Sequence, residues 1–223
     1  MLPAFLQPGF VDAFPDPRGA DGEGLVAVGG DLCVERLLLA YDSGIFPWFS
    51  EENPELWWSP DPRAVLFPED LHISRSMSKW LLTHEFTVTW NRSFPEVMQG
   101  CAEERCDGTW VLPEMIESYT ELNRQHHAHS LEVWSGADLV GGIYGVHRGG
   151  LFAGESMFHR VDNASKLALI KLVQTLHILG VELIDVQLMT PHLASMGAVE
   201  IPREHYLELV HHLRKKDVRL PLT

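Results

Sequence analysis

The stretch from Ser130 to Phe158 constrains the fold more than any other part of this sequence. Two short, turn-like segments divide it into three runs of strand-forming residues, which are Ser130 to Trp134, Leu139 to Val146 and Leu151 to Phe158. Connections this short join neighbouring antiparallel strands. The sequence therefore predicts an antiparallel, three-stranded meander in the second half of the chain.

A strongly apolar helix is predicted directly after the meander. It begins at Asn163, which we expect to cap it, and continues to about Leu179, where Gly180 ends it. A helix that is this apolar is expected to be buried against a sheet. The other elements predicted from Arg63 onward are strands at 64–68, 86–90, 181–188 and 197–201, and helices at 74–82, 94–104, 113–125, 192–196 and 203–216. Their order predicts a mixed α/β sheet.

Prolines and aromatic residues are concentrated in the first 62 residues. This composition is typical of a small, irregular module, so we expect an N-terminal domain at 1–62 and a larger domain at 63–223. Within the first, a helix is predicted over 31–41 with Asp31 as its cap. Gly29 and Gly30 before it are expected to form a tight turn, because the segment lacks the lysine of a phosphate-binding loop.

The charge balance limits the classes of partner. The 223 residues include 17 Lys and Arg against 31 Asp and Glu, for a formal net charge of -14, which excludes a chain-wide basic surface for non-specific nucleic-acid binding. Three cysteines do not indicate a disulfide framework. We see neither a signal peptide nor an apolar run of about 18 residues, so we expect a cytoplasmic protein without a membrane partner.

The histidines at 126, 127 and 129 do not have the spacing or partners of a metal site, and a solvated helix end is expected for them. More informative are Glu155, Asp185 and Gln187, which lie within strands of otherwise apolar residues. A carboxylate in such a strand must be paired or must serve a site. For Glu155 or Asp185 taken alone, a structural hydrogen bond explains the burial at least as well as a functional role. A glutamine near a carboxylate offers a carbonyl oxygen that can hold an attacking amine while the carboxylate orients the amide.

Seven sequence blocks, in the family's order, resemble the bacterial leucyl/phenylalanyl-tRNA protein transferase family, and the resemblance extends from about Phe14 to Tyr206. They are Gly44 to Phe49, Trp57 to Pro60, Gly108 to Trp110, Ala128 to Trp134, Gly154 to Phe158, Asn163 to Lys166 and Ile184 to Gln187. The resemblance implies an enzyme that moves leucine or phenylalanine, with methionine as a further candidate, from aminoacyl-tRNA to the N-terminal arginine or lysine of a protein, creating a degradation signal. It implies no cofactor or metal and an acyltransferase-like C-terminal domain, similar to the N-acetyltransferase fold.

The resemblance also implies roles for individual residues. Asp185 and Gln187 correspond to the catalytic pair proposed for the family, in which the aspartate polarises the glutamine. Whether that relay or simple positioning dominates stays open. Glu155 corresponds to a residue of the active-site cleft that can balance the acceptor's cationic side chain.

Further positions are implied to bind the donor. Trp48 and Trp110 correspond to aromatics that contact the terminal adenosine. The pocket for the leucine or phenylalanine side chain is implied to contain Ile143, Phe152 and Met157. Arg75 and Lys79 are implied to contact the tRNA. Some family members carry methionine at the position of Ile143, so the preference between leucine and phenylalanine stays open.

Two alternatives remain. An acetyl-CoA-dependent N-acetyltransferase shares the predicted fold, but the segment 159–165 has no glycine to approach a pyrophosphate and contains Asp162. A non-catalytic module that binds an RNA end or a peptide is the other alternative, which the presence of both Asp185 and Gln187 disfavours.

Overall fold

The computed structural model describes residues 3–11, 13–103 and 111–222. Its strands are β1 Ala4–Leu6, β2 Leu25–Gly29, β3 Phe46–Pro47, β4 Leu56–Trp58, β5 Arg63–Leu66, β6 Thr87–Trp90, β7 Ala128–Ser135, β8 Asp138–Arg148, β9 Leu151–His159, β10 Leu183–Gln187 and β11 Val199–Ile201. Its α-helices are α1 Val34–Asp42, α2 Arg75–Thr83, α3 Phe94–Glu103, α4 Pro113–Arg124, α5 Ala164–Leu179, α6 Pro191–Ser195 and α7 Arg203–Leu213.

The first four strands form a sheet of their own, in the order β1-β2-β4-β3. The glycine turn predicted before α1 is confirmed, since Gly29 and Gly30 have φ of 80° and 95°. The predicted cap is wrong: Cys33 is the N-cap residue and makes no side-chain capping bond. The Asp31 carboxylate instead accepts hydrogen bonds from Gly9 N, Cys33 N and Arg36 Nε, which tie the chain start to α1.

The remaining seven strands form a second sheet, in the order β11-β5-β10-β9-β8-β7-β6. The predicted meander is confirmed, because β8 pairs antiparallel with both β7 and β9. β10 pairs parallel with β9, and α5 makes the crossover between them. The sheet is therefore mixed, as the order of predicted elements indicated.

Glycines in β8 let helices approach both faces of this sheet. A Cβ atom at Gly141 would lie 2.7 Å from the Ala164 Cβ of α5, and one at Gly142 would lie 3.0 Å from Val97 of α3. The predicted burial of α5 is confirmed by its eight buried residues. Asn163 is its N-cap residue, as predicted, but it has a left-handed φ of 66° and makes no side-chain capping bond.

The parallel pair β9 and β10 separates partway along its length. Their last paired residues are Ala153 and Asp185, and each strand has an irregularity near this level, at Tyr144/Gly145 between β8 and β9 and at Asp185/Gln187 between β5 and β10. Beyond this point the two strands leave a gap between them, where a largely apolar crevice lies.

One core cluster contains residues of both sheets and of the helices packed on them, including Tyr41 of α1, Trp57 of β4, Tyr119 of α4 and Phe158 of β9. The change of sheet falls between β4 and β5, near the division predicted at residue 62, and that division into two domains stays a prediction. One further expectation is wrong: His129 is not at a solvated helix end but is buried in β7.

None of the helices within residues 3–11, 13–103 and 111–222 is long and apolar enough to cross a membrane. Over the same residues, no group of three or more His, Cys, Asp or Glu side chains is arranged to hold a metal ion.

Candidate active site

A cavity of about 410 Å³ opens where β9 and β10 separate. Its residues come from β8, from the two separating strands and the loop after β10, from α5 and α6, and from the edge of the N-terminal sheet. They are Phe46, Pro47, Trp48, Ile143, Gly154, Glu155, Ser156, Met157, Leu169, Ile184, Val186, Gln187, Leu188, Thr190 and Leu193. The gap in one sheet is thus closed by the edge of the other.

Most of the cavity wall is apolar. Ile143 and Met157 come from paired positions on β8 and β9, and Leu169 comes from α5. Trp48 forms part of the rim, with 43% of its surface exposed, and meets Trp58 edge to face at a centroid distance of 6.2 Å. Such a wall suits an apolar side chain, with an exposed indole ring beside it.

Asp185 lies at the polar end of the site and is paired with a buried cation. Arg63 Nε donates to Asp185 Oδ1 at 2.8 Å, and Arg63 Nη2 donates to Oδ2 at 2.7 Å. The Tyr206 hydroxyl donates to Oδ2 at 2.8 Å. Both members of the ion pair are 1% exposed, so the carboxylate is fixed from two sides and its charge is balanced.

The Arg63 guanidinium is itself held between two aromatic rings, Phe46 at 4.6 Å and Tyr206 at 4.4 Å from the ring centroids. Burial alone lowers the pKa of Arg63, but the Asp185 carboxylate outweighs this and raises the pKa above its usual value. The guanidinium therefore stays charged inside the core.

Gln187 takes an unusual backbone conformation at the irregularity of β10. Its φ is 58°, a left-handed value that is rare for a residue with a side chain, and its backbone N donates to Asp185 Oδ1 at 3.0 Å. Its side-chain Nε2 donates to Glu155 Oε1 at 3.2 Å. The expectation that Asp185 orients the amide is corrected: Asp185 holds the backbone of Gln187, and Glu155 holds the amide.

Glu155 is partly buried in the cavity wall, and the groups that donate hydrogen bonds to its carboxyl are neutral. The hydroxyl of Tyr119 donates to Oε2 at 3.5 Å and lies 2.5 Å from the hydroxyl of Tyr41. Burial raises the pKa of Glu155 to about 8, and the nearby charge of Asp185 adds to the rise, while the tyrosine hydroxyls and Arg63 act against it. At neutral pH the carboxyl is mostly protonated.

The structure brings together five of the residues implied by the resemblance, since Trp48, Ile143, Glu155, Met157 and Gln187 all line the cavity. Asp185 lies directly behind them, bonded to the backbone of Gln187.

The other implied positions do not line the cavity. Phe152 is fully buried and packs in the core cluster that also holds Ile143 and Ile184. Arg75 and Lys79 are exposed on α2, one helical turn apart. Trp110 lies outside the described residues.

Sequence reasoning missed Arg63, Tyr206, Tyr41 and Tyr119. Arg63 carried a usable signal: it begins a run of apolar strand residues, Ala64 to Leu66, and a buried Asp185 requires a cationic or donor partner. The tyrosines carried none, because each lies on an amphipathic helix where an aromatic residue is expected to be part of the core.

Comparison with known proteins gives distant fold likenesses and close sequence relatives. L-PGS from Bacillus licheniformis is 14% identical with a TM-score of 0.43, over 76% of this chain and 57% of that one. A GCN5-related N-acetyltransferase from Kribbella flavida is 10% identical with a TM-score of 0.38, over 74% of this chain and 59% of that one. Neither is close enough to bear on activity.

The sequence itself matches two family models. Residues 65–211 match "Leucyl/phenylalanyl-tRNA protein transferase", and residues 30–61 match the N-terminal domain of that family. The leucyl/phenylalanyl-tRNA protein transferase of Klebsiella pneumoniae is 52% identical over 211 residues, which are 94% of this chain and 89% of the relative. The chain therefore belongs to the leucyl/phenylalanyl-tRNA protein transferase family and is an aminoacyltransferase.

Proposed function

We propose that this enzyme transfers leucine or phenylalanine, with methionine as a further candidate, from aminoacyl-tRNA to the N-terminal arginine or lysine of an acceptor protein. A peptide bond forms and the new N-terminus acts as a degradation signal. The observation that carries the proposal is the apolar cavity with the Glu155–Gln187 pair in its wall. It offers a pocket for the donor's side chain next to polar groups for the acceptor's amine.

The donor half of the reaction is supported by the apolar wall. Ile143, Met157 and Leu169 offer a surface for a leucyl or phenylalanyl side chain. The exposed ring of Trp48 offers a stacking surface for an unpaired base at the end of the tRNA.

The acceptor half is supported by the orientation of Gln187. Because its Nε2 donates to Glu155, its carbonyl oxygen is left to accept a hydrogen bond from the attacking α-amine. Asp185 then contributes by holding the backbone of Gln187, which favours simple positioning over a side-chain relay. A carboxyl at Glu155 also offers a partner for the cationic acceptor.

The aminoacyl-tRNA is itself the activated donor, so the proposed reaction requires no cofactor or metal, and we place it in the cytoplasm, where charged tRNA is found. Arg75 and Lys79 are the proposed tRNA contacts. Both are exposed on one face of α2 and can each neutralise a phosphate. In a chain with a net charge of -14, a few such contacts position the donor without creating a broadly basic surface.

The test is transfer of radiolabelled leucine from charged tRNA to a peptide that starts with arginine. We expect labelled peptide in the presence of a metal chelator and none when acetyl-CoA is the donor. A peptide that starts with alanine tests the acceptor preference. Absence of transfer from leucyl-, phenylalanyl- and methionyl-tRNA alike would refute the proposal.

Two variants test the role of the site. Gln187→Ala removes the proposed hydrogen-bond acceptor and should slow transfer by about 10²-fold or more, because misplacing the amine forfeits orientation. Gln125→Ala is the matched control, since Gln125 is exposed at the end of α4 and should leave the rate unchanged. Equal rates in the two variants would remove Gln187 from the mechanism.

A further inference from the structure

The transfer reaction requires a base that the amide of Gln187 cannot provide. The acceptor's α-amino group is an ammonium ion until it loses a proton, and only the neutral amine is a nucleophile. An amide oxygen accepts a hydrogen bond but is too weak a base to keep a proton. Asp185 is already bonded to Arg63 and Tyr206, so its oxygens face the core.

Glu155 is the carboxyl placed to meet this need. It lines the cavity, and its Oε1 lies 3.2 Å from the amide nitrogen of Gln187, so an amine held by that amide is next to it. Tyr41 and Tyr119 do not line the cavity and approach the carboxyl from behind, in the core shared by the two sheets. They are 2% and 0% exposed, and burial raises the pKa of each phenol well above its usual value, so both hydroxyls remain hydrogen-bond donors.

We propose that Glu155 accepts the proton released by the acceptor's α-ammonium, and that Tyr41 and Tyr119 are positioning residues that aim its carboxyl at the cavity and stabilise its charged form. This inference rests on the proposed aminoacyl transfer. It also gives a role to the contact between helices α1 and α4, because Tyr41 lies on α1 and Tyr119 lies on α4.

An N–H bond of the α-ammonium breaks and its proton passes to the Glu155 carboxylate, leaving a lone pair that attacks the ester carbonyl carbon of the aminoacyl-tRNA. The new C–N bond forms as the bond from that carbon to the ribose oxygen breaks. A second proton of the former ammonium goes to the ribose oxygen, and the proton on Glu155 is released to solvent.

The surroundings of Glu155 make this step sensitive to pH. The titratable and charged groups that act on it are Tyr41, Tyr119, Asp185 and Arg63. With a pKa near 8, the carboxyl is a stronger base than an exposed glutamate but is mostly protonated at neutral pH. We therefore expect the transfer rate to rise with pH up to about 8.

The test compares the pH profiles of transfer to an arginine-starting peptide at saturating leucyl-tRNA. Glu155→Gln should lower the rate by about 10²- to 10⁴-fold, the usual contribution of a general base, and should remove its part of the pH dependence. Tyr41→Phe and Tyr119→Phe each remove a hydroxyl that lowers the pKa of Glu155, so each should move the midpoint upward by roughly half a pH unit or more.

Matched controls show whether a shift of the midpoint comes from Glu155. The acceptor's own amine titrates identically in every variant, so a shift confined to the two tyrosine variants reports on Glu155. Tyr206→Phe removes an equally buried hydroxyl from Asp185 and should not produce the same upward shift. Circular dichroism and thermal unfolding check that each variant is folded.

A wild-type profile in Glu155→Gln, or a tyrosine variant slowed equally at every pH, would overturn the inference while leaving the transfer activity established. Failure of the wild-type protein to transfer from any charged tRNA would instead refute the proposed function and this step with it.

Discussion

The two carboxyl groups of the site, Asp185 and Glu155, lie near one residue and have opposite surroundings. Asp185 is 1% exposed and shares both oxygens with the Arg63 guanidinium. Glu155 is partly buried, and its hydrogen-bond partners are the amide of Gln187 and two phenol hydroxyls, all of them neutral. Asp185 is held by a charged partner and Glu155 by neutral donors, and burial raises the pKa of Glu155 to about 8, which suits it to gain and lose a proton near neutral pH.

This difference assigns the two groups separate tasks. Asp185 fixes the left-handed backbone at Gln187 and has no direct bond to the amide, whereas Glu155 holds the amide and faces the cavity. A carboxyl group whose surroundings raise its pKa towards neutrality is a recurrent feature of acid–base active sites. Substitutions at either end of the pair can break the contrast.

The largest loss of stability is expected from substituting Arg63, the charged partner of Asp185. Arg63→Met leaves Asp185 as a buried, unpaired charge and should lower the free energy of unfolding by about 3–5 kcal/mol, measured by urea denaturation. The double variant with Asp185→Asn removes the orphaned charge and should recover part of the loss. A single variant that lost less than about 1 kcal/mol would show that the pair is not needed to hold this end of the site.

A smaller loss of stability is expected from removing one tyrosine hydroxyl beside Asp185 or one beside Glu155. Tyr206→Phe loses a hydrogen bond to a charged carboxylate, which is worth about 1.5–3 kcal/mol. Tyr119→Phe at about pH 6 loses one to a neutral carboxyl, worth about 0.5–1.5 kcal/mol. Equal losses, measured by denaturation under the same conditions, would contradict the difference in charge between the two ends.

The smallest effect is expected from the pH dependence of stability. The folded protein raises the pKa of Glu155 from 4.5 to about 8, so it binds more protons than the unfolded chain between these values, and stability falls as pH rises through this window. Glu155→Gln should therefore be more stable than the wild type above about pH 8, by about 1 kcal/mol, since the carboxyl is only partly buried.

The difference in stability between Glu155→Gln and the wild type should shrink as the pH falls towards 4.5, the ordinary pKa of Glu155. Glu51→Gln, at an exposed position, is the matched control and should show no such pH-dependent difference. A Glu155→Gln variant that is less stable than the wild type above about pH 8 would have the wrong sign for a raised pKa.

The sequence predicted the elements of the second sheet well, because their periodicity and turns are local signals. The meander from Ser130 to Phe158 and the apolar helix that ends at Gly180 are both confirmed. The cap proposed at Asp31 is wrong, and Asn163 takes the predicted N-cap position without a side-chain bond, since each residue's role depends on contacts or a backbone conformation that the local pattern does not encode.

The site was predicted in part. The motifs led to Glu155, Asp185 and Gln187, but the assignment of the amide to Asp185 assumed a regular strand, in which residues two apart share a face. The irregularity at Gln187 replaces that geometry with a backbone contact. Arg63 comes from a strand that is 122 residues away from Asp185 in sequence, and nothing local to either residue identifies the other.

The protonation state of Glu155 is the property that most sharply separates it from an ordinary exposed glutamate. The measurement is a ¹³C NMR titration of protein labelled at the glutamate side-chain carboxyl carbon, with Glu155→Gln used to identify its signal. We predict a titration midpoint near 8 that moves upward in Tyr41→Phe and Tyr119→Phe. A midpoint near the ordinary value of 4.5 would contradict this assignment, because Glu155 would then be as fully ionised at neutral pH as an exposed carboxylate.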